Sequence, residues 1–389
     1  MIRTRIFLLL ALLLSVTCGC GSHSSQRAVK DGMAAFKEHK YSEAIASFTR
    51  ASKRITNSPE LYYNLGLAHL EEGNMEPAKA AFTAALELRP GYGDALACLG
   101  KIAYDQNNPS DLPKAQAYLE QALSAATTSE SKARILTSLA LTESARGRHD
   151  IARLDLLNAL RLNRLYAPAY YNLASLYRDK FNLREEALDN FEIFVRLVDK
   201  SETHYGSAVN NIKRLRTNLE RTRAEELDGV RRDPAAAARL LQEGMHLQVS
   251  KQYAKAIKSY RDALAADPLT FSAAFGLAMA YKTQGQREEA IEAFRRATDI
   301  SPNHQDSYFQ AAELAFQLKH YAEAEKILAR AIARSPSNPA NAELMARIRY
   351  AETRLPEARA YGEYYLSLLP PGDKNRAPYE KWVKSLPTK

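Results

Sequence analysis

The sequence predicts an all-α solenoid of stacked antiparallel helix pairs, on three observations. The first is a column of alanines: Ala44, Ala78, Ala115, Ala152, Ala187, Ala256, Ala290, Ala324 and Ala358 hold one register across nine repeated segments. The second is a small residue twelve positions before each: Gly32, Gly66, Gly100, Ala140, Ala174, Gly244, Ala278, Ala312 and Ala346, with extra residues inserted after Gly100 (three) and Ala174 (one). The third is the period. The small residues advance by 34 from Gly32 to Gly66 to Gly100, from Ala140 to Ala174, and from Gly244 through Ala278 and Ala312 to Ala346. Two helices and two turns fill about 34 residues, and one such pair cannot bury its apolar face alone, so a fixed period of this length marks a stack.

Each repeat has the same internal logic. The small residue belongs to the first helix, A, and the alanine to the second, B; both are expected where the two backbones approach most closely. Four residues after the alanine comes a large side chain: Phe48, Phe82, Leu119, Leu156, Phe191, Tyr260, Phe294 and Leu328. Three residues further, alanine returns at 51, 85, 122, 159, 263, 297 and 331. Spacing of four and then three puts all of these on one helix face. Helix B is expected to end near Pro90, Pro268, Pro302, Pro336 and Pro370, because proline lacks the amide a helix needs.

These residues resemble the tetratricopeptide repeat. Residues 61–90, Leu-Tyr-Tyr-Asn-Leu-Gly through Ala78, Phe82, Ala85 and Pro90, are a close match, and residues 271–302 and 305–336 follow. The resemblance implies a right-handed solenoid of about nine repeats in two blocks, covering most of residues 25–372. The first repeat has Thr56 where its closing proline would stand. The ninth places Gly362 and Tyr365 in the large and small columns. Atypical terminal repeats are expected, since each has only one neighbour.

Residues 1–19 read as a signal peptide: Arg3 and Arg5 precede an apolar run from Ile6 to Leu14, too short to span a bilayer. The following Ser-Val-Thr-Cys-Gly-Cys-Gly-Ser resembles a bacterial lipobox. Cys20, after Gly19, is the better lipidation candidate, with Cys18 the alternative. Three acyl chains on Cys20 would anchor the chain permanently, and residues 20–26 would form the tether. With Gly21 and Ser22 rather than Asp after the cysteine, the resemblance implies a lipoprotein of the outer membrane facing the periplasm. Removing residues 1–19 leaves Cys98 as the one other cysteine, so no internal disulfide is expected in the mature form.

Between Ala174 and Gly244 the step is 70, about two periods, but no hidden repeat fits: Glu220 and Leu227 fill small columns. Val209, Ile212, Leu215 and Leu219 instead mark one long helix with a narrow apolar stripe. Asp233-Pro234 ends this stretch. The expected organisation is therefore repeats 1–5 over 27–200, a helical connector over 201–233, repeats 6–9 over 234–372, and a capping segment over 373–389 with Tyr379, Trp382, Val383 and Leu386 at helical spacing. Connector residues Lys213, Arg214, Arg216, Arg221 and Arg223 are followed by Glu225, Glu226 and Asp228, as on a solvated face.

Composition and motifs narrow the function class. A chain 46% hydrophobic and 25% charged is an ordinary globular balance. The net charge of +9 is mild for this length and does not demand nucleic acid. No phosphate-cradling Gly-x-x-x-x-Gly-Lys, Gly-x-Ser-x-Gly or His-Glu-x-x-His is present, and the eight histidines are scattered. No enzymatic activity, cofactor or metal is expected.

In the tetratricopeptide family, residues three before and one and four after the small position line the concave groove. The resemblance therefore implies partner contacts at Tyr63, Leu67, Tyr171, Leu241, Met245, Phe275, Met279, Phe309, Phe316 and Tyr350. Asn64 and Asn172 match the position that often bonds a bound peptide backbone. Val29 and Lys30 occupy the first positions of the basic clamp used by chaperone-binding members, so a receptor for carboxyl-terminal tails is not expected. The expected function is protein or peptide binding by an envelope scaffold, resembling lipoproteins that help assemble secretins, pili or outer-membrane proteins. The alternative is a lipoprotein that binds peptidoglycan or regulates cell-wall enzymes.

Overall fold

The computed structural model describes residues 22–106, 108–227 and 232–387. The expected signal peptide and the lipidation residue Cys20 lie outside the described residues. Among the described residues there are helices and turns but no strand. The helices follow the expected pairs: α1 (Ser22–Lys37) with α2 (Tyr41–Ser52), α3 (Pro59–Glu72) with α4 (Met75–Leu88), α5 (Gly93–Asp105) with α6 (Leu112–Ala125), and α7 (Ser129–Ala145) with α8 (His149–Leu162). Next come α9 (Ala167–Leu176), α10 (Arg184–Leu197) and the long α11 (Tyr205–Leu227). The later pairs are α12 (Pro234–Val249) with α13 (Tyr253–Ala266), α14 (Phe271–Thr283) with α15 (Arg287–Ile300), α16 (Gln305–Gln317) with α17 (Tyr321–Arg334), and α18 (Pro339–Ala351) with α19 (Leu355–Leu368). A short α20 (Arg376–Ser385) closes the chain.

The alanine column is the core of every pair: all nine alanines are 0% exposed, and so are the seven that return at 51, 85, 122, 159, 263, 297 and 331. The small residue of helix A faces something other than the expected alanine. A Cβ built on Gly32 would lie 2.7 Å from the ring of Phe48, on Gly66 2.7 Å from Phe82, and on Gly244 2.7 Å from Tyr260. The large side chain of helix B thus lies across the backbone of helix A, and the glycine is the space that ring fills. In the third pair a Cβ on Gly100 would meet both Leu119 and the Ala115 carbonyl, so there the backbones do close up.

Local signals account for where helices start, stop and adapt. The Ser58 hydroxyl accepts from the Leu61 amide at 3.2 Å and the Asp233 carboxylate from Ala236 at 2.9 Å; a proline at the first helical position follows each. Helix B ends two residues before each expected proline, with Arg89, Asp267, Ser301, Ser335 and Leu369 extended or nearly so, since the residue before proline is pushed out of the helical region. The two sequence insertions are absorbed locally. The three extra residues appear as a 3₁₀ turn at Pro109–Asp111, and the single extra residue as a π turn at Tyr177–Phe181.

The chain divides into two compact units. One comprises residues up to Leu173 with Ile193–Ser207; the other comprises Ala174–Glu192 with Ala208–Lys389. In the first unit, Tyr171 packs against Phe194 and stacks on His204 with centroids 4.4 Å apart. In the second, Arg334 at the end of α17 reaches back to α10, with Nη2 2.7 Å from Glu185, Nε 2.9 Å from Glu186 and Nη1 3.1 Å from Asp189. At its far end, Gly362 packs under Val383 and Trp382 of α20, and Tyr350 meets Trp382. No helix among the described residues is long and apolar enough to cross a membrane.

Candidate functional site

The groove positions expected from the repeat behave differently in the two units. In the first, Tyr63 is 1% exposed, and Asn64 and Leu67 are buried as well. Tyr63 packs between Phe82 at 5.8 Å and Tyr92 at 5.2 Å, in a cluster that includes Leu67, Cys98 and Ile102. The reason is physical. An aromatic on helix A reaches the next pair, and with α5 seated over α3 it becomes core. These three expected contact residues are therefore corrected to packing residues. Burial pushes the Cys98 thiol up to about 12, with a side-chain hydrogen bond to Tyr63 opposing the shift, so this thiol is inert packing; among the described residues the buried Tyr92 hydroxyl has no hydrogen-bond partner. Tyr171 and Asn172 are half-buried, and the Tyr171 hydroxyl lies 3.3 Å from that of Ser207, so the start of α11 covers this position.

In the second unit the expected positions remain at the surface. Met245 is 55% exposed and Tyr350 50%; Leu241, Phe275, Met279, Phe309 and Phe316 are half-buried. They sit on α12, α14, α16 and α18, the A helices of successive pairs. Phe275 is fixed by its neighbours: it stacks on Phe271 at 5.9 Å and meets the His304 ring at 5.0 Å. Phe316 carries the Arg347 guanidinium 4.9 Å above its ring. Val249, on the same helix as Met245, is 83% exposed; its position lies outside the three groove registers, so the repeat pattern did not single it out.

Polar groups interrupt this apolar row. Lys282 donates to the Gln310 side chain, and the Tyr260 hydroxyl donates to Gln248 at 2.7 Å. Glu343 lies 3.7 Å from Arg347. Burial holds the Glu343 carboxyl above its ordinary range, Arg347 opposes that shift, and nearby Glu313 adds to it. The result is a row of aromatic and methionine side chains interrupted by a few polar groups. A separate cleft of about 440 Å³ between α13, α14 and α15, lined by Arg261, Leu264, Tyr281, Glu289 and Arg296, contains none of these residues. Among the described residues no group of three His, Cys, Asp or Glu side chains could hold a metal ion.

Comparison with known proteins bears on the repeat itself. The profile of the tetratricopeptide repeat matches residues 59–92, 241–304 and 283–348. Superkiller complex protein 3 of Mus musculus is 24% identical over 286 residues, which is 72% of this chain; the chain spans only 18% of that protein's length. Among solved structures, a thermophilic tetratricopeptide repeat protein of Thermus thermophilus is 23% identical. It covers 48% of this chain and 98% of its own, with a TM-score of 0.41. YrrB, described as a tetratricopeptide repeat protein with an unusual peptide-binding site, is 17% identical, covering 70% of this chain and 97% of its own, with a TM-score of 0.32.

Proposed function

Because the chain carries tetratricopeptide repeats at residues 59–92 and 241–348, we propose that it is a non-enzymatic scaffold of the bacterial cell envelope. In this reading a lipid on Cys20 holds it to the outer membrane, and it takes a peptide or partner segment along the A helices of repeats 6–9. Solenoids of this class present one continuous face to their partners. The observation that carries the reading is the row Met245, Phe275, Met279, Phe309, Phe316 and Tyr350, which stays accessible while the corresponding Tyr63 and Leu67 are core. Side chains of this type, ordered before binding, supply most of the energy of a peptide interface.

The test is covalent crosslinking in the intact envelope, followed by capture of the full chain and mass spectrometry. The comparison is a Phe275→Ala, Phe309→Ala, Phe316→Ala variant with an unchanged helical signal. One assembly is expected to dominate the capture and to vanish with the variant. A captured set that the variant leaves unchanged would exclude the groove. Metabolic labelling with a fatty acid checks the anchor: label is expected on the wild-type chain and not on Cys20→Ala.

A further inference from the structure

One end of the first helix pair is predominantly basic. Gly32 facing Phe48 sets the antiparallel register of α1 on α2. That register places Arg27 level with Lys53 and Lys30 level with Arg50, with Arg54 one residue beyond. Ala28, Phe48 and Ala51 share the buried cluster beneath them. All five basic side chains are exposed. Among the described residues none of them has an ion pair or side-chain hydrogen bond, whereas Lys40, at the opposite end of the pair, is bound to Glu38 at 2.8 Å. Residues 21–30 and 44–59 contain no aspartate or glutamate; the acids of this pair are Asp31, Glu38 and Glu43.

Helix electrostatics explains only part of this. Arg50, Lys53 and Arg54 close the C-terminus of α2, where the helix dipole favours cations; Arg27 and Lys30, the sixth and ninth of the 16 residues of α1, lie outside its last turn, where the dipole gives them no support. The chain enters the first pair at this same end, a few residues after Cys20.

We propose that this end of the first repeat is a docking surface for anionic lipid headgroups, holding the first pair against the membrane. Exposed lysines and arginines within a Debye length of an anionic surface each strengthen binding about fivefold, and the attraction is screened by salt. The surface shares no residue with the groove of repeats 6–9, so each can fail without the other.

The full chain is floated with phosphatidylcholine vesicles, with and without about one third phosphatidylglycerol. Apolar or lipid attachments near the N-terminus act on both vesicle types, so the difference between them is what is scored. The wild type is expected to prefer the anionic vesicles by on the order of a hundredfold at low salt, with the preference fading as salt rises. Replacing Arg27, Lys30, Arg50, Lys53 and Arg54 with Gln is expected to abolish the preference. A control with Lys251, Lys255, Lys258, Lys319 and Lys326 changed to Gln, equal in charge and exposed in the second unit, is expected to retain it. Equal loss in both variants, or no loss in the first, overturns the proposal. So does binding of an oligonucleotide or polyglutamate by a chain that ignores anionic vesicles.

Discussion

Glu343 illustrates how a single side chain is shaped by its place in the stack. It sits three residues before the small residue of the last repeat, where the ring of the expected pattern would stand, and it is half-buried. Burial raises its pKa, with Glu313 adding and Arg347 opposing. A carboxyl raised in the folded state keeps its proton to higher pH than in the unfolded chain. The cost of charging it is absent below the ordinary value of 4.5 and enters as pH rises through the raised value, so its contribution to stability falls over that window. Glu343→Gln is therefore expected to flatten the pH dependence of the melting temperature above the ordinary value of 4.5, as pH rises through the raised value. A variant whose melting curve tracks the wild type at every pH would show that Arg347 cancels the burial. Tyr63 and Phe275 teach the complementary lesson. Both occupy the same column, and only the neighbouring pair decides that Tyr63 is core and Phe275 an accessible anchor.

At the scale of the helix pair, the A-to-B turn requires one residue in the left-handed backbone region. Gly73, Gly147 and Gly285 meet that requirement with φ of 89°, 80° and 78°. His39, Asn182, Lys251, Lys319 and Thr353 hold equivalent turns at φ between 53° and 63° without being glycine. A side chain in this region costs about 1–2 kcal/mol, and a β-branched one is the least comfortable. Thr353→Gly is expected to stabilise the chain by about 0.5–1 kcal/mol, the relief of strain less the extra freedom of glycine in the unfolded chain. Chemical denaturation that shows a lower midpoint would mean that the Thr353 side chain contributes more than its backbone costs. The same pair also carries charge inside: Arg349, fully buried, is held by Glu325 of the preceding pair and by Glu352. One missing partner there would leave a buried ion uncompensated.

On the scale of the molecule, the decisive contact is long-range. Arg334, 14% exposed on its side chain, binds Glu185, Glu186 and Asp189 across about 150 residues of sequence, and Glu186 is 3% exposed. This ties the first turn of α10 into the second unit. Arg334→Ala is expected to destabilise that attachment by roughly 2–3 kcal/mol, because among the described residues Glu186 would keep only Arg330 at 4.0 Å as an ion-pair partner. Hydrogen exchange should then accelerate in Arg184–Leu197 and not in α3 or α4; unchanged protection of α10 would make the contact incidental. No sequence period announces this clamp, since a salt bridge between distant helices leaves no spacing signal. The sequence by itself determined the helix pairs, their order, the alanine core, the long α11 and the closing α20. These follow from local periodicity, because each pair must bury the same face against its neighbour. The two irregular spacings were legible as insertions of three residues and one, while their form, a 3₁₀ turn and a π turn, came from the structure. Only the tertiary structure decided which groove positions stay accessible and where the chain divides. Those depend on what lies over a side chain from another pair, and the residue's own column does not encode it.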